Sequence, residues 1–195
     1  MGLWLVQECR RAFERRGKTL SYAELTHLAA ESKPFKSLID PDAPEFLAPA
    51  DMPAEIVKWC QARGRPAPEN EGEFVRTALE CLALKYRMVL SWLEELSGST
   101  VEVIHIVGGG SQNELLNQFA ANACGRTVMA GPVEATALGN VLVQARTSGA
   151  VANLAEMRSV VRASSALKQY EPRDRAAWND AYLRFSELLA MELPK

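Results

Sequence analysis

The run Val103-Ile104-His105-Ile106-Val107-Gly108-Gly109-Gly110-Ser111-Gln112-Asn113-Glu114 constrains this chain more than any other stretch. An apolar strand ends in three glycines. Ser111 and Glu114 then form a Ser-x-x-Glu pattern, a capping box that predicts a helix from Ser111 to residue 124. A strand, a glycine turn and a helix N-terminus together bring main chain close to a ligand. Glycine removes the Cβ that would keep the ligand away, and the helix start offers unpaired N–H groups at the positive end of its dipole. The same pattern also serves a tight strand-to-helix turn with no ligand, and the local residues leave both readings open.

Two common nucleotide fingerprints do not fit. A P-loop requires Gly-Lys-Ser/Thr, and no lysine stands in this run. A dinucleotide fingerprint requires G-x-G-x-x-G; Gly108 and Gly110 match its start, but position 113 is asparagine. An amide there suits hydrogen bonding to a base or ribose better than neutralising a phosphate.

The 195 residues suffice for one sizeable domain, and a net charge of −2 with scattered basic residues argues against nucleic acid as a partner. No apolar run reaches membrane-spanning length, and Met1-Gly2-Leu3-Trp4-Leu5-Val6 is too short for a signal peptide. Cysteines stand at 9, 60, 81 and 124 without a C-x-x-C pair, and neither His27 nor His105 is spaced for zinc. These features predict a reduced, cytoplasmic protein with buried thiols and no metal site in this chain.

Along the chain the first half reads as helices: residues 2–15, a short helix opened by the capping box Ser21-Tyr22-Ala23-Glu24, and residues 52–63. Between them, prolines and aspartates over 33–51 predict an ordered loop, anchored by Phe35, Leu38, Ile39, Phe46 and Leu47. Residues 71–97 predict one long helix, buried across the domain in preference to a coiled coil, with Val75, Leu79, Leu82, Tyr86, Val89, Leu93 and Leu96 on a continuous face and Gly98 as its stop. The strand over 101–107, apolar on both sides apart from Glu102 and His105, predicts an interior parallel position, with His105 as a satisfied sheet residue. A second strand at 127–130 leads through Gly131-Pro132 into a helix from Val133, whose Ala135, Ala137 and Gly139 predict close packing. Helices at 153–161 and 173–192 flank an extended Leu167–Pro172. The class is therefore α/β with a parallel pair. Two strands, or three, make a marginal sheet.

Three stretches carry a resemblance. The first is Ile39-Asp40-Pro41-Asp42 with Phe46 and Asp51-Met52-Pro53. The second is His105 to Asn113 with Leu116-Asn117-Gln118. The third is Ala130-Gly131-Pro132-Val133-Glu134-Ala135-Thr136-Ala137-Leu138-Gly139-Asn140, and Tyr170-Glu171-Pro172 adds to it. In combination the chain resembles the C-terminal portion of the carbohydrate kinases that include glycerol kinase and xylulokinase, with its closest likeness in the rhamnulokinase branch. The resemblance implies an actin-like, ribonuclease-H-like domain, helix-rich and lacking its first strands, forming the ATP side of a two-domain kinase over residues 1–195. It implies phosphorylation of L-rhamnulose by ATP with Mg2+ in the complete enzyme, and places the adenosine part of ATP at Gly109 and Asn113. Gly108, Gly110 and Ser111 stand beside them, and Gln7 in the Gly-Leu-Trp-Leu helix contributes a further contact. No residue here matches the family's catalytic aspartate, and the sugar would bind only with the missing N-terminal portion. The chain is therefore expected to be inactive alone. A non-catalytic nucleotide-binding or scaffold module, and a kinase for another ketose or polyol, are the competing readings.

Overall fold

The computed structural model describes residues 2–192, so the expectations placed on Met1 lie outside the described residues. The chain begins with α1 (Trp4–Arg15), α2 (Tyr22–Glu31), α3 (Met52–Ala62) and α4 (Glu71–Ser97). It continues as β1 (Val103–Ile106), α5 (Glu114–Cys124), β2 (Thr127–Ala130), α6 (Ala135–Thr147), α7 (Leu154–Ser164), β3 (Lys168–Tyr170) and α8 (Arg175–Glu192). The sheet order is β1-β2-β3; β1 and β2 are parallel, as the paired strand-to-helix units predict, and β3 joins β2 antiparallel from the extended segment after α7.

Local chemistry sets the helix ends. Ser21 and Glu24 close a full capping box at α2, Asp51 and Asn70 cap α3 and α4, and Gly98 ends α4 at φ 65°. The main core lies among α1, α2, α3, the first half of α4, α5 and α8, and the loop between α2 and α3 contributes to it. In that loop Leu38, Ile39 and Phe46 are buried as anchors, whereas Leu47 is 67% exposed. Trp178 of α8 meets Phe35 edge-on at 4.9 Å and Phe119 of α5 at 5.2 Å, joining the last helix to that loop. The four cysteines are free thiols; burial pushes Cys60 up to about 11 and Cys124 to about 12 and raises Cys9 and Cys81 further, so all stay protonated at neutral pH.

The crossing of α2 over α4 is unusually close. A Cβ on Gly72 would lie 2.5 Å from the Leu28 carbonyl oxygen, so only glycine permits this approach. One turn on, Arg76 donates to the carbonyls of Ala29 at 2.9 Å and Ala30 at 3.1 Å, at the end of α2. Its Nε donates to the carboxylate of Glu80 at 2.7 Å, and the other Glu80 oxygen accepts from the Phe35 amide at 2.9 Å. Glu80 is 1% exposed.

Four expectations need correction. The long helix is buried only from Gly72 to Leu84; beyond it Trp92, Leu93 and Leu96 are 50%, 55% and 86% exposed, because no described element lies over them. The β1 strand is an edge, not an interior strand: β2 pairs one side, no described strand pairs the other, and His105 is exposed rather than enclosed in the sheet. The small residues of α6 do not create close packing; Gly139 faces open space, and Leu142 is the buried residue of that helix. The predicted helix start at Ser111 falls instead at Glu114, for the reason given below. Among the described residues, no helix is long and apolar enough to cross a membrane.

Between the free side of β1 and the outer half of α4 runs a groove of about 520 Å³, lined by Tyr86, Val89, Leu93, Ile104 and Ile106 among others. Unpaired strand edges beside apolar surface are templates for self-association. The 195-residue chain purified alone is expected to associate. Size-exclusion with light scattering should show species above the monomer that bind a dye for exposed apolar surface; a monodisperse, dye-silent monomer would contradict this.

A second expectation concerns Glu80. Burial outweighs Arg76 and the Phe35 amide and lifts its carboxyl from about 4.5 to about 7. The folded chain thus favours the protonated form. That contribution is full below about pH 4.5 and is lost as pH rises through about 7, on the order of 3 kcal/mol. The urea midpoint should fall between pH 5 and pH 8 in the parent chain, and Glu80→Gln should flatten that fall while matching the parent near pH 5.

Candidate functional site

The glycine turn is built differently from a simple helix start. Gly108 sits at φ 76° and ψ −167°, a backbone region that side chains rarely enter. The positive φ falls on Gly108, not on Gly109. Gly109 to Gln112 then form a 3-10 turn. Ser111 does not cap a helix: its hydroxyl donates to the Gly108 carbonyl at 2.7 Å, inside the turn. Asn113 takes the cap instead, its side-chain oxygen accepting from the Leu116 amide at 2.9 Å. Two good capping residues compete here, and the intervening turn decides for the later one.

The turn is fixed from two sides. The Gly108 amide donates to the Pro132 carbonyl at 3.0 Å, and the Gly131 amide donates to the Ile106 carbonyl at 2.8 Å. Thus the segments leaving β1 and β2 hold each other. Beneath the turn, the fully buried Asn117 donates to the Ser111 carbonyl at 2.8 Å. The amides of Gly109 and Gly110 donate to no backbone carbonyl among the described residues.

A cavity of about 440 Å³ opens against this turn. It is lined by Gln7 with Leu3 and Val6 from the start of the chain, by Gly109, Gly110, Gln112 and Asn113 from the turn, and by Tyr22, Ala23 and Thr26 from α2. Of the residues singled out from the sequence, Gln7, Gly109, Gly110 and Asn113 come together on this cavity although 101 positions or more separate Gln7 from the others. Gly108 and Ser111 are not on its wall; they shape the turn behind it. The α2 wall and Gln112 were missed by the sequence reading. No local pattern ties α2 to the glycine run; only the capping box, which places Tyr22 at the first position of its helix, hinted at a fixed side chain there.

The lining is uncharged: apolar side chains, a tyrosine, a threonine, three amides and glycine backbone. Its size falls within the range of small-molecule sites, and apolar walls with a few convergent polar groups are the usual make-up of such sites. Because a would-be Cβ on Gly109 meets nothing within 4 Å, a ligand can approach that backbone directly. Among the described residues, no cluster of three His, Cys, Asp or Glu is arranged to hold a metal ion.

Comparison with known proteins gives the setting of this cavity. The description "FGGY family of carbohydrate kinases, C-terminal domain" matches residues 1–148, which include the whole cavity. The chain is 49% identical over 184 residues to a rhamnulokinase of Bacteroides thetaiotaomicron, covering 94% of this chain and 37% of that protein. It is 41% identical over 188 residues to a rhamnulokinase of Pectobacterium carotovorum, covering 96% of this chain and again 37% of that protein. The chain therefore spans little more than a third of the length of these relatives. Among solved structures, Plasmodium falciparum glycerol kinase with ADP superposes with a TM-score of 0.67 at 14% identity, over 98% of this chain and 37% of that one. Xylulose kinase from Rhodospirillum rubrum gives a TM-score of 0.63 at 19% identity, over 98% of this chain and 38% of that one. These likenesses show the fold, and the α/β, helix-rich architecture is that of part of a sugar kinase. By the match over residues 1–148, the chain belongs to the FGGY family of carbohydrate kinases, in its C-terminal domain.

Proposed function

We propose that residues 1–195 form one domain, the ATP-side portion of a cytoplasmic carbohydrate kinase that phosphorylates L-rhamnulose. The observation that carries this reading is the uncharged cavity where Gln7 meets the glycine turn. The named activity of the two relatives above supports L-rhamnulose as the substrate.

The residues present fit the adenosine part of ATP. Free amides at Gly109 and Gly110, an uncommitted NH2 on Asn113 and the amide of Gln7 offer hydrogen bonds to a base or ribose. Leu3, Val6 and Ala23 offer apolar contact. Gly108 and Ser111 hold the turn in shape. No lysine or arginine lines the cavity to pair with a phosphate chain. ATP supplies the transferred phosphoryl group, and phosphoryl transfer depends on positioned phosphates, magnesium and a group that accepts the sugar's proton. In this reading those parts belong to the complete kinase.

Affinity should then come from the nucleoside. ATP, ADP and AMP are expected to bind the chain within about threefold of one another, a spread of about 0.7 kcal/mol. Gly109→Val, which places a branched side chain where backbone meets ligand, should weaken all three by at least about tenfold, some 1.4 kcal/mol. Isothermal titration reads both. ATP binding far tighter than AMP would require phosphate contacts that this cavity lacks, and an unaffected Gly109→Val variant would make the turn purely structural.

Catalysis is the second test. A coupled ADP-release assay with L-rhamnulose, ATP and magnesium should show no sugar-dependent turnover by the chain alone. Turnover would mean that the chain supplies a base and phosphate contacts outside this uncharged cavity.

A further inference from the structure

Opposite the glycine turn, the cavity is walled by α2, and the side chain that stands out there is Tyr22. Its backbone is fixed by the capping box: Ser21 Oγ accepts from the Glu24 amide at 3.2 Å, and the Glu24 carboxylate accepts from the Ser21 amide at 2.8 Å. Its ring is fixed separately. The Arg10 guanidinium lies 4.8 Å from the ring centroid, and Arg10 Nε donates to the Leu20 carbonyl at 2.8 Å, which holds the guanidinium in place. α2 as a whole is held from behind by its close crossing at Gly72 and by the Arg76 hydrogen bonds to Ala29 and Ala30.

Despite these restraints Tyr22 is 49% exposed. An aromatic ring held by its own cation, left open on a cavity that contains amides and no charge, matches the needs of a flat heteroaromatic ligand. Stacking against a tyrosine gives area at little entropic cost because the ring is already ordered. The neighbouring amides of Gln7 and Gln112 can serve the edge of such a ring.

We infer that Tyr22 is the platform against which the purine base of the bound nucleotide packs, with Arg10 holding its ring in place. This rests on the nucleotide reading above and goes beyond it by assigning the base-contacting side chain to α2, outside the glycine motif. The contact is with the base, so its loss is felt equally by adenosine and by ADP.

The test is a calorimetric titration of the 195-residue chain and its variants with adenosine and with ADP, with thermal midpoints recorded for each protein. Stacking of a base on an aromatic side chain corresponds to about 5- to 150-fold in affinity. Tyr22→Ala and Tyr22→Leu should each weaken both ligands by about tenfold or more at an unchanged thermal midpoint. Tyr22→Phe, which keeps the ring, should stay within about twofold of the parent. If Tyr22→Ala and Tyr22→Leu bind as the parent does while Gly109→Val does not, the nucleotide site stands and the platform is wrong. If Tyr22→Phe loses as much as Tyr22→Ala, the hydroxyl and not the ring is what matters, and the platform is again wrong. If the parent binds neither adenosine nor ADP at millimolar concentration, the nucleotide reading itself fails.

Discussion

The buried pairing of Arg76 with Glu80 is the interaction on which the rest of this structure depends. Both side chains stand on α4, four residues apart, and each spends its remaining hydrogen-bonding capacity on a different part of the chain. Arg76 donates to two carbonyls at the end of α2, where a helix end is short of donors: Ala30, and Ala29, which also accepts from the Ser32 amide. Glu80 satisfies the Phe35 amide in the loop that follows. Arg76 also lies over the Phe119 ring of α5, at 5.3 Å from its centroid. One hydrogen-bonded pair thus joins α2, α4, α5 and the proline-rich loop. Charge is costly in a dry core: carbonyls supply the Arg76 guanidinium with partners, while burial lifts the Glu80 carboxyl to about 7, so it gives up its proton only near neutral pH. Removing Arg76 would take the donor from two α2 carbonyls and from Glu80 at once, leaving the Glu80 carboxyl with the Phe35 amide.

This junction explains how a cavity with so little of its own framework is held. The glycine turn is stiffened by main-chain hydrogen bonds and by Asn117, but the opposite wall depends on α2 remaining where the close crossing at Gly72 and the Arg76 contacts set it. The two walls come from segments far apart in sequence. They meet through α4 and α5, which pack between them as the main core. The site is therefore a property of the helical core more than of the small sheet, whose own cluster comprises Ala120, Ala121, Val128, Ala130 and Tyr170.

What the sequence made legible follows from how local each signal is. The span of α4 and its stop at Gly98 could be read because an apolar period and a left-handed glycine cap need no distant partner. The parallel pairing of β1 and β2 followed from two successive strand-to-helix units. The start of α5 was misplaced because Ser111 and Asn113 both carry capping chemistry, and only the 3-10 turn between them decides. The outer half of α4 and both faces of β1 look like core by their apolar content, yet burial requires neighbours, which no local pattern reveals. The glycine side of the cavity was visible as a motif. The α2 side was not, since Tyr22 and Thr26 carry no pattern linking them to residue 109, and their placement emerges only when the helices pack.

The exchange of hydrogen bonds between Gly108 and Pro132 and between Gly131 and Ile106 has a mechanical meaning. Two loops that leave neighbouring strands would ordinarily swing on their own hinges. Tied twice through the main chain, they form a single stiff yoke across the end of the sheet, and a force applied at the glycine turn is passed to the entry of α6 without any side chain as intermediary. The two glycines that make the ties are fixed by their positive φ, 76° at Gly108 and 107° at Gly131, so the yoke depends on the backbone freedom of those two positions.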